Sequence, residues 1–118
     1  MKYLSISGQD TLLVAMECIK KNHQRCVLVT NDSGRLEGVI SQGDIASALL
    51  RGMTPYVPVE KVMNPSFLYL MKDDMAQAYA IFKKYQISLL PVLDNKYMVK
   101  SVITLQDVFS YLEERNNG

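Results

Sequence analysis

The sequence predicts an α+β fold, two tandem β-α-β-β-α units packed as one module with pseudo-twofold symmetry. Three observations carry that expectation. The stretch "GVISQGD" (Gly38 to Asp44) returns 63 residues later as "SVITLQD" (Ser101 to Asp107). The same shift carries Ala15 to Ala78, Lys20-Lys21 to Lys83-Lys84, Val29 to Val92 and Leu49 to Leu112, with no gap from the first helix of each half to the last. Finally, segments with apolar residues at helical spacing alternate with short β-branched runs. In a chain of 118 residues neither copy can bury enough surface alone, so the two are expected to pack together.

Each element follows from local pattern. A short strand over Tyr3 to Ile6 opens the first copy. Leu12, Ala15, Met16 and Ile19 recur at helical spacing behind a cap at Asp10 or Thr11. A strand at Cys26 to Thr30 turns through Asn31-Asp32-Ser33-Gly34 into a second strand at Leu36 to Ser41. A short helix runs from Gln42 to near Gly52, with Ile45, Ala48 and Leu49 on one face. The second copy repeats this as a strand at Phe67 to Met71 and a helix at Met75 to Tyr85. Strands at Leu89 to Leu93 and Met98 to Thr104 follow, then a helix at Leu105 to Glu114. The repeats are placed at 1–55 and 66–118, with 56–65 as the connection, broken by Pro58 and Pro65 and too apolar for a floppy tether. The polar tail from Glu113 to Gly118 is expected to fray or to begin a linker.

Composition excludes several functions. A formal net charge of +1 gives no bulk case for nucleic acid or an anionic membrane surface. No apolar run approaches the roughly 20 residues of a membrane span, and the start has no signal-peptide core, so the cytoplasm is the expected compartment. Cys18 and Cys26 read as free, buried thiols. A zinc site lacks ligands, because His23 is the only histidine. Walker loop and nucleophile–base–orienter sets are missing from the sequence, so no enzyme is expected.

The hydroxyl-x-x-Asp pairs, Ser41 with Asp44 and Thr104 with Asp107, admit two readings. As capping boxes they satisfy orphan N–H groups at two helix starts and need no ligand. As a binding site, the helix N-terminus and hydroxyl suit a phosphate while the carboxylate suits the two hydroxyls of a ribose. Both readings can use the same atoms.

Two copies of this unit in register, with "VLVTNDSGRLEGVISQGDI" in the first and "AQAYAIFKKYQISLLPVLDN" and "SVITLQDV" in the second, resemble a CBS-domain pair, or Bateman module. A narrower likeness, to the CBS pairs fused to sugar-phosphate nucleotidyltransferases, rests on "GRLEGVISQGDI", "ALLRG" and "PVEKVMN". It departs at Ala46-Ser47, where those pairs continue with arginines.

The resemblance implies a regulatory module that takes AMP, ADP, ATP or S-adenosylmethionine in the cleft between repeats and modulates a fused or separate catalytic partner. It implies no required cofactor, and a homodimer formed through helical faces. Phosphate would sit on Ser41 or Thr104, ribose on Asp44 or Asp107. The base would lie against Cys26 and Val27 in one site and against Leu89, Leu90 and Pro91 in the other. The alternative is a ligand-free dimerisation module. Gly38 leaves room for close approach in the first copy, where the second has Ser101. Arg25 and Lys100 are either phosphate contacts or solvated charges. Phe67, Tyr69, Met71 and Met75 line either a pocket or the core. Lys20-Lys21 and Lys83-Lys84 suit the negative ends of their helices.

Overall fold

A computed structural model describes residues 3–117. The chain divides between Phe67 and Leu68 into two compact units. The first holds β1 (Ser5–Ser7), α1 (Leu12–Asn22), β2 (Cys26–Thr30), β3 (Leu36–Ser41), α2 (Gln42–Leu50) and a 3-10 turn at Val59–Lys61. The second holds α3 (Met75–Lys84), β4 (Leu89–Leu93), β5 (Val99–Thr104) and α4 (Leu105–Asn117).

Helix α1 starts because the Thr11 hydroxyl accepts from the Val14 N–H, and it stops at His23, whose φ of 60° is left-handed. It buries Leu12, Ala15 and Ile19 against Val27, Val29 and Ile40 of the sheet and against Ile45 and Ala48 of α2. The second unit builds its own core from Leu70, Ala78, Leu90, Val92, Ile103 and Val108. Strand residues on the opposite face of each sheet, Leu28 and Leu93 among them, are also fully buried.

The duplication extends to individual residue pairs. β1 runs parallel to β2, and β2 pairs antiparallel with β3 from Cys26 opposite Ser41 to Thr30 opposite Leu36. β4 and β5 pair from Leu89 opposite Thr104 to Leu93 opposite Val99. Adding 63 to the first register gives the second, including the irregularity at Val29/Thr30, which recurs at Val92/Leu93. The turns match too. The Asn31 side-chain oxygen accepts from the Ser33 and Arg35 N–H groups, as Asp94 does from Lys96 and Met98. Gly34 and its counterpart Tyr97 are both left-handed, at φ 90° and 63°.

Three expectations need correction. The opening strand is Ser5–Ser7 and excludes Tyr3, whose φ of 65° is incompatible with a strand. The strand expected over Phe67 to Met71 shrinks to a single bridge, Leu70 beside Val92. Its cause is Pro91. In the first unit the Leu28 N–H donates to Leu4 O at 2.8 Å, whereas proline at the corresponding position has no N–H to give. Leu70 keeps its two bonds, its N–H donating to Pro91 O and its carbonyl accepting from the Leu93 N–H. Because Ile6 and Leu70 occupy the same place beside Val29 and Val92, the offset before the helices is 64.

The tail does not fray at Glu113, since α4 continues to Asn117, and Gly118 lies outside the described residues. Helix α2 ends instead at Leu50, followed by Gly52 at φ 94°. The corresponding stretch of α4 has no glycine, and Arg115 Nη1 reaches back to donate to the Tyr111 hydroxyl at 3.0 Å.

The connection is bonded to the first unit along its length. Val57 O and Pro55 O accept from the Leu12 and Leu13 N–H groups, supplying two orphan donors of α1. The Val59 and Glu60 N–H groups donate to Asp10 O and Gly8 O. Asn64 exchanges two bonds with Val39, its N–H donating at 2.8 Å and its carbonyl accepting at 3.0 Å.

Candidate functional site

Strand β3 ends at Ser41 and α2 begins at the next residue, so the strand delivers the hydroxyl to a helix N-terminus. Asp44 accepts from the Ser41 N–H at 2.9 Å and its own N–H donates to Ser41 Oγ at 3.1 Å. Thr104 and Asp107 do the same at the start of α4, at 2.8 and 3.1 Å. Both motifs are therefore complete capping boxes within the chain.

The first helical N–H is engaged as well. Gln42 donates to Arg25 O at 2.9 Å, and Leu105 donates to Ser88 O at 3.2 Å. What remains for an incoming molecule follows by subtraction. The N–H groups of Gly43 and Gln106, at the second helical position, have no partner among the described residues. Each hydroxyl accepts the Asp N–H but keeps its own hydrogen to donate, and each carboxylate uses one oxygen, leaving the other free to accept. Beyond its chain neighbours and its own helix backbone, a Cβ built on Gly43 would meet only Ser41 Oγ among the described residues, at 3.7 Å.

The predicted strand residues fall into place beside these motifs. Cys26 lies directly opposite Ser41, and Leu89 opposite Thr104. Val27 lies opposite Ile40, Leu90 opposite Ile103 and Pro91 opposite Val102. The side chains of Val27 and Leu90 are fully buried in the two cores, so these residues can offer a ligand only backbone. Cys26, Leu89 and Pro91 alternate to the other face of their strands and are buried there.

Other candidates are sorted by position. Arg25 is exposed and left-handed at φ 65°, and its carbonyl is the group that receives the first N–H of α2. Its counterpart by the 63-residue shift, Ser88, carries no charge. Lys100 sits among the charges that favour ionised Asp94 at the turn. Tyr69 packs edge-on against Tyr97 with ring centroids 5.7 Å apart, and the hydrogen bond between their hydroxyls raises the Tyr69 pKa. That places Tyr69 at the turn end of β5, on the order of 20 Å along the strand from Thr104. Met75 packs on the second core, while Met71 is exposed.

The close approach at Gly38 is made by the chain itself. A Cβ there would lie 2.7 Å from Met63 Sδ and 3.0 Å from Asn64 O. The room read from the sequence as open to a ligand is therefore filled. Sequence reasoning also missed Asn22, whose side-chain amide donates to Tyr3 O and Cys26 O at 2.8 and 3.1 Å and so fixes the start of β2. The signal was available, a polar residue following Lys20-Lys21 at the end of a helix. Burial raises the Cys18 thiol, which keeps it protonated. No cluster of three His, Cys, Asp or Glu side chains suited to a metal occurs among the described residues, and none of their helices is long and apolar enough to cross a membrane.

A duplicated strand-hairpin-helix unit with a hydroxyl-and-carboxylate motif at each helix start defines a tandem repeat module of the CBS type. The chain belongs to the CBS domain family, whose match covers residues 1–51 and 59–114. It is similar to the magnesium transporter MgtE of Thermus thermophilus, with 31% identity over 88 residues, 74% of this chain and 18% of that protein. Among solved structures it is similar to the CBS domain pair of protein MJ0100 in complex with 5′-methylthioadenosine and S-adenosyl-L-methionine. That likeness has a TM-score of 0.75 and 24% identity, covering 92% of this chain and 90% of the other. It is also similar to the cytosolic domain of the Mg2+ channel MgtE in complex with ATP, at TM-score 0.73 and 22% identity, covering 93% and 45%. The chain spans roughly a fifth of the length of the curated relatives it matches, 18% and 19% in the first two.

Proposed function

We propose that this chain is a non-catalytic, cytoplasmic regulatory module that binds adenosine-containing ligands and passes their presence to a partner domain or subunit. The observation that carries the reading is the set of groups left over at each helix start. There is one free N–H and one donating hydroxyl for a phosphate or a ribose oxygen, and one free carboxylate oxygen for ribose hydroxyls. Ser41, Asp44, Thr104 and Asp107 hold the ligand, with Cys26, Val27, Leu89, Leu90 and Pro91 lining it. The adenosyl ligands held by the MJ0100 pair and by the MgtE domain support the class of molecule.

The two repeats differ in charge. Arg25 stands at the carbonyl tied to α2, so the first repeat favours a phosphate-bearing nucleotide. Ser88 leaves the second without a cation there, so it favours an adenosyl ligand without phosphate. The partner is a transporter or an enzyme. A sugar-phosphate nucleotidyltransferase is the enzyme that the "GRLEGVISQGDI" likeness suggests. A homodimer through the exposed helix residues Leu50 and Phe109 completes the reading.

A second reading has an observation of its own. Both capping boxes close without any ligand, which is what a purely structural, dimerising module needs. Thermal denaturation and calorimetry with AMP, ADP, ATP, GTP and S-adenosylmethionine separate the two. Binding raises the melting temperature with concentration. A folded chain that ignores every compound at millimolar concentration leaves the structural module standing.

A further inference from the structure

We propose that the Met63-Asn64 segment relays occupancy of the Ser41–Asp44 site to the second unit, through a two-bond bridge that the ligand makes or releases. The inference rests on the nucleotide-binding reading above. Asn64 and Val39 exchange both their backbone hydrogen bonds, at 2.8 and 3.0 Å, and Val39 lies two residues before Ser41 on the same strand. The bridge thus ties the connection to the strand that delivers Ser41, two residues before the site.

Its other side leads out of the unit. The second unit begins at Leu68, and its first backbone tie is the Leu70 N–H donating to Pro91 O at 3.0 Å. Whatever fixes Asn64 fixes the point from which the chain leaves for Leu70. The segment from Thr54 to Asn64 is bonded to the start of α1 and to the loop before it, so the strap is anchored at one end and joined to the site at the other.

Gly38 gives the bridge its sensitivity. Met63 Sδ and Asn64 O occupy the space where a side chain would stand, so a small change in the twist of β3 moves the segment without slack. In the second repeat the corresponding residue is Ser101, and no described residue bridges Val102 as Asn64 bridges Val39. A ligand can drive the bridge only through different affinity for the bridged and released forms, which is what the measurement reads.

The test is hydrogen exchange on the whole chain, free and saturated with ATP, for the wild type and for Gly38→Ala and Asn64→Pro. The first substitution presses a methyl into the segment, and the second removes the N–H that donates to Val39 together with the side-chain oxygen that accepts from the Ser66 N–H. In the wild type, ATP should slow or speed exchange at the Asn64 and Leu70 amides by about tenfold or more. In both variants ATP should still bind within about threefold of the wild-type affinity, because neither residue belongs to the site, yet Leu70 should stop responding. Should Gly38→Ala fail to fold, Asn64→Pro answers the question alone. ATP binding that leaves Asn64 and Leu70 unchanged in the wild type, or a variant in which Leu70 still responds, overturns the relay and spares the binding reading. No ATP binding to the wild type overturns both.

Discussion

Ser41 and Asp44 are each donor and acceptor to the other, the Ser41 N–H donating to a carboxylate oxygen at 2.9 Å and the Asp44 N–H to the hydroxyl at 3.1 Å. A residue pair closed in this way is already a helix start. Any ligand must use what the closure leaves over, and it must do so without opening it.

That gives the first prediction. Asp44→Ala and Asp107→Ala each remove one capping box and should each cost about 1 kcal/mol. For a chain of this size that is a fall of about 3–6 °C in melting temperature. If the boxes are only caps, calorimetry will find any nucleotide affinity unchanged. If the free carboxylate oxygen holds a ribose, affinity falls about tenfold or more at the substituted repeat.

Arg25 sets the second. Arg25→Ala should weaken ATP binding by about tenfold while changing S-adenosylmethionine binding little, because the side chain is proposed to meet phosphate. The wild-type preference for ATP should also shrink as salt is raised. Equal losses for both ligands, seen by calorimetry, would count against a charge-selective first repeat.

A third concerns Leu28 and Pro91, which occupy corresponding positions. Leu28→Pro deletes the bond from its N–H to Leu4 O and leaves that carbonyl short of a partner, at a cost of about 1–3 kcal/mol. Pro91→Leu should be tolerated far better, since no acceptor in the second unit depends on an N–H there. Urea denaturation of the two variants measures the asymmetry.

The fourth is a pH effect at the turn. Asp94 accepts from the Met98 and Lys96 N–H groups, and those bonds hold its carboxyl below the usual range. A group whose pKa falls on folding stabilises the folded chain above its unfolded value of about 3.9, and that stabilisation is lost as pH drops through the folded value. Asp94→Asn keeps a side-chain acceptor, as Asn31 does in the first turn, but cannot titrate. Urea midpoints compared at pH 6 and pH 3 should show a smaller fall for the variant than for the wild type.

Much of this fold was legible because the two halves keep time with each other. The shift that carries Ser41 to Thr104 also carries both hairpin registers, and apolar spacing placed α1 and α3 correctly. What escaped was long-range. The missing strand at Phe67 to Met71 depends on Pro91, twenty or more residues away, having no N–H to offer. Gly38 was rightly seen as a place of close approach, but nothing local reveals that Met63 and Asn64 fill it. The motifs at Ser41 and Thr104 were legible as chemistry with two uses. The structure adds which atoms remain unused, because only the bonds to Arg25 O and Ser88 O show how many donors are already engaged.

The matched registers of the two hairpins have a consequence for how the chain folds. A strand whose partner positions are duplicated can pair as well with the wrong copy, β2 with β5 or β4 with β3, at no cost in alignment. Proximity favours the correct outcome: the right partners are joined by turns closed at Asn31 and Asp94, whereas the wrong ones require closure of a long loop. Weakening either turn should therefore do more than loosen a hairpin. It should admit crossed pairings, within one chain as a slow-folding trap and between chains as swapped dimers.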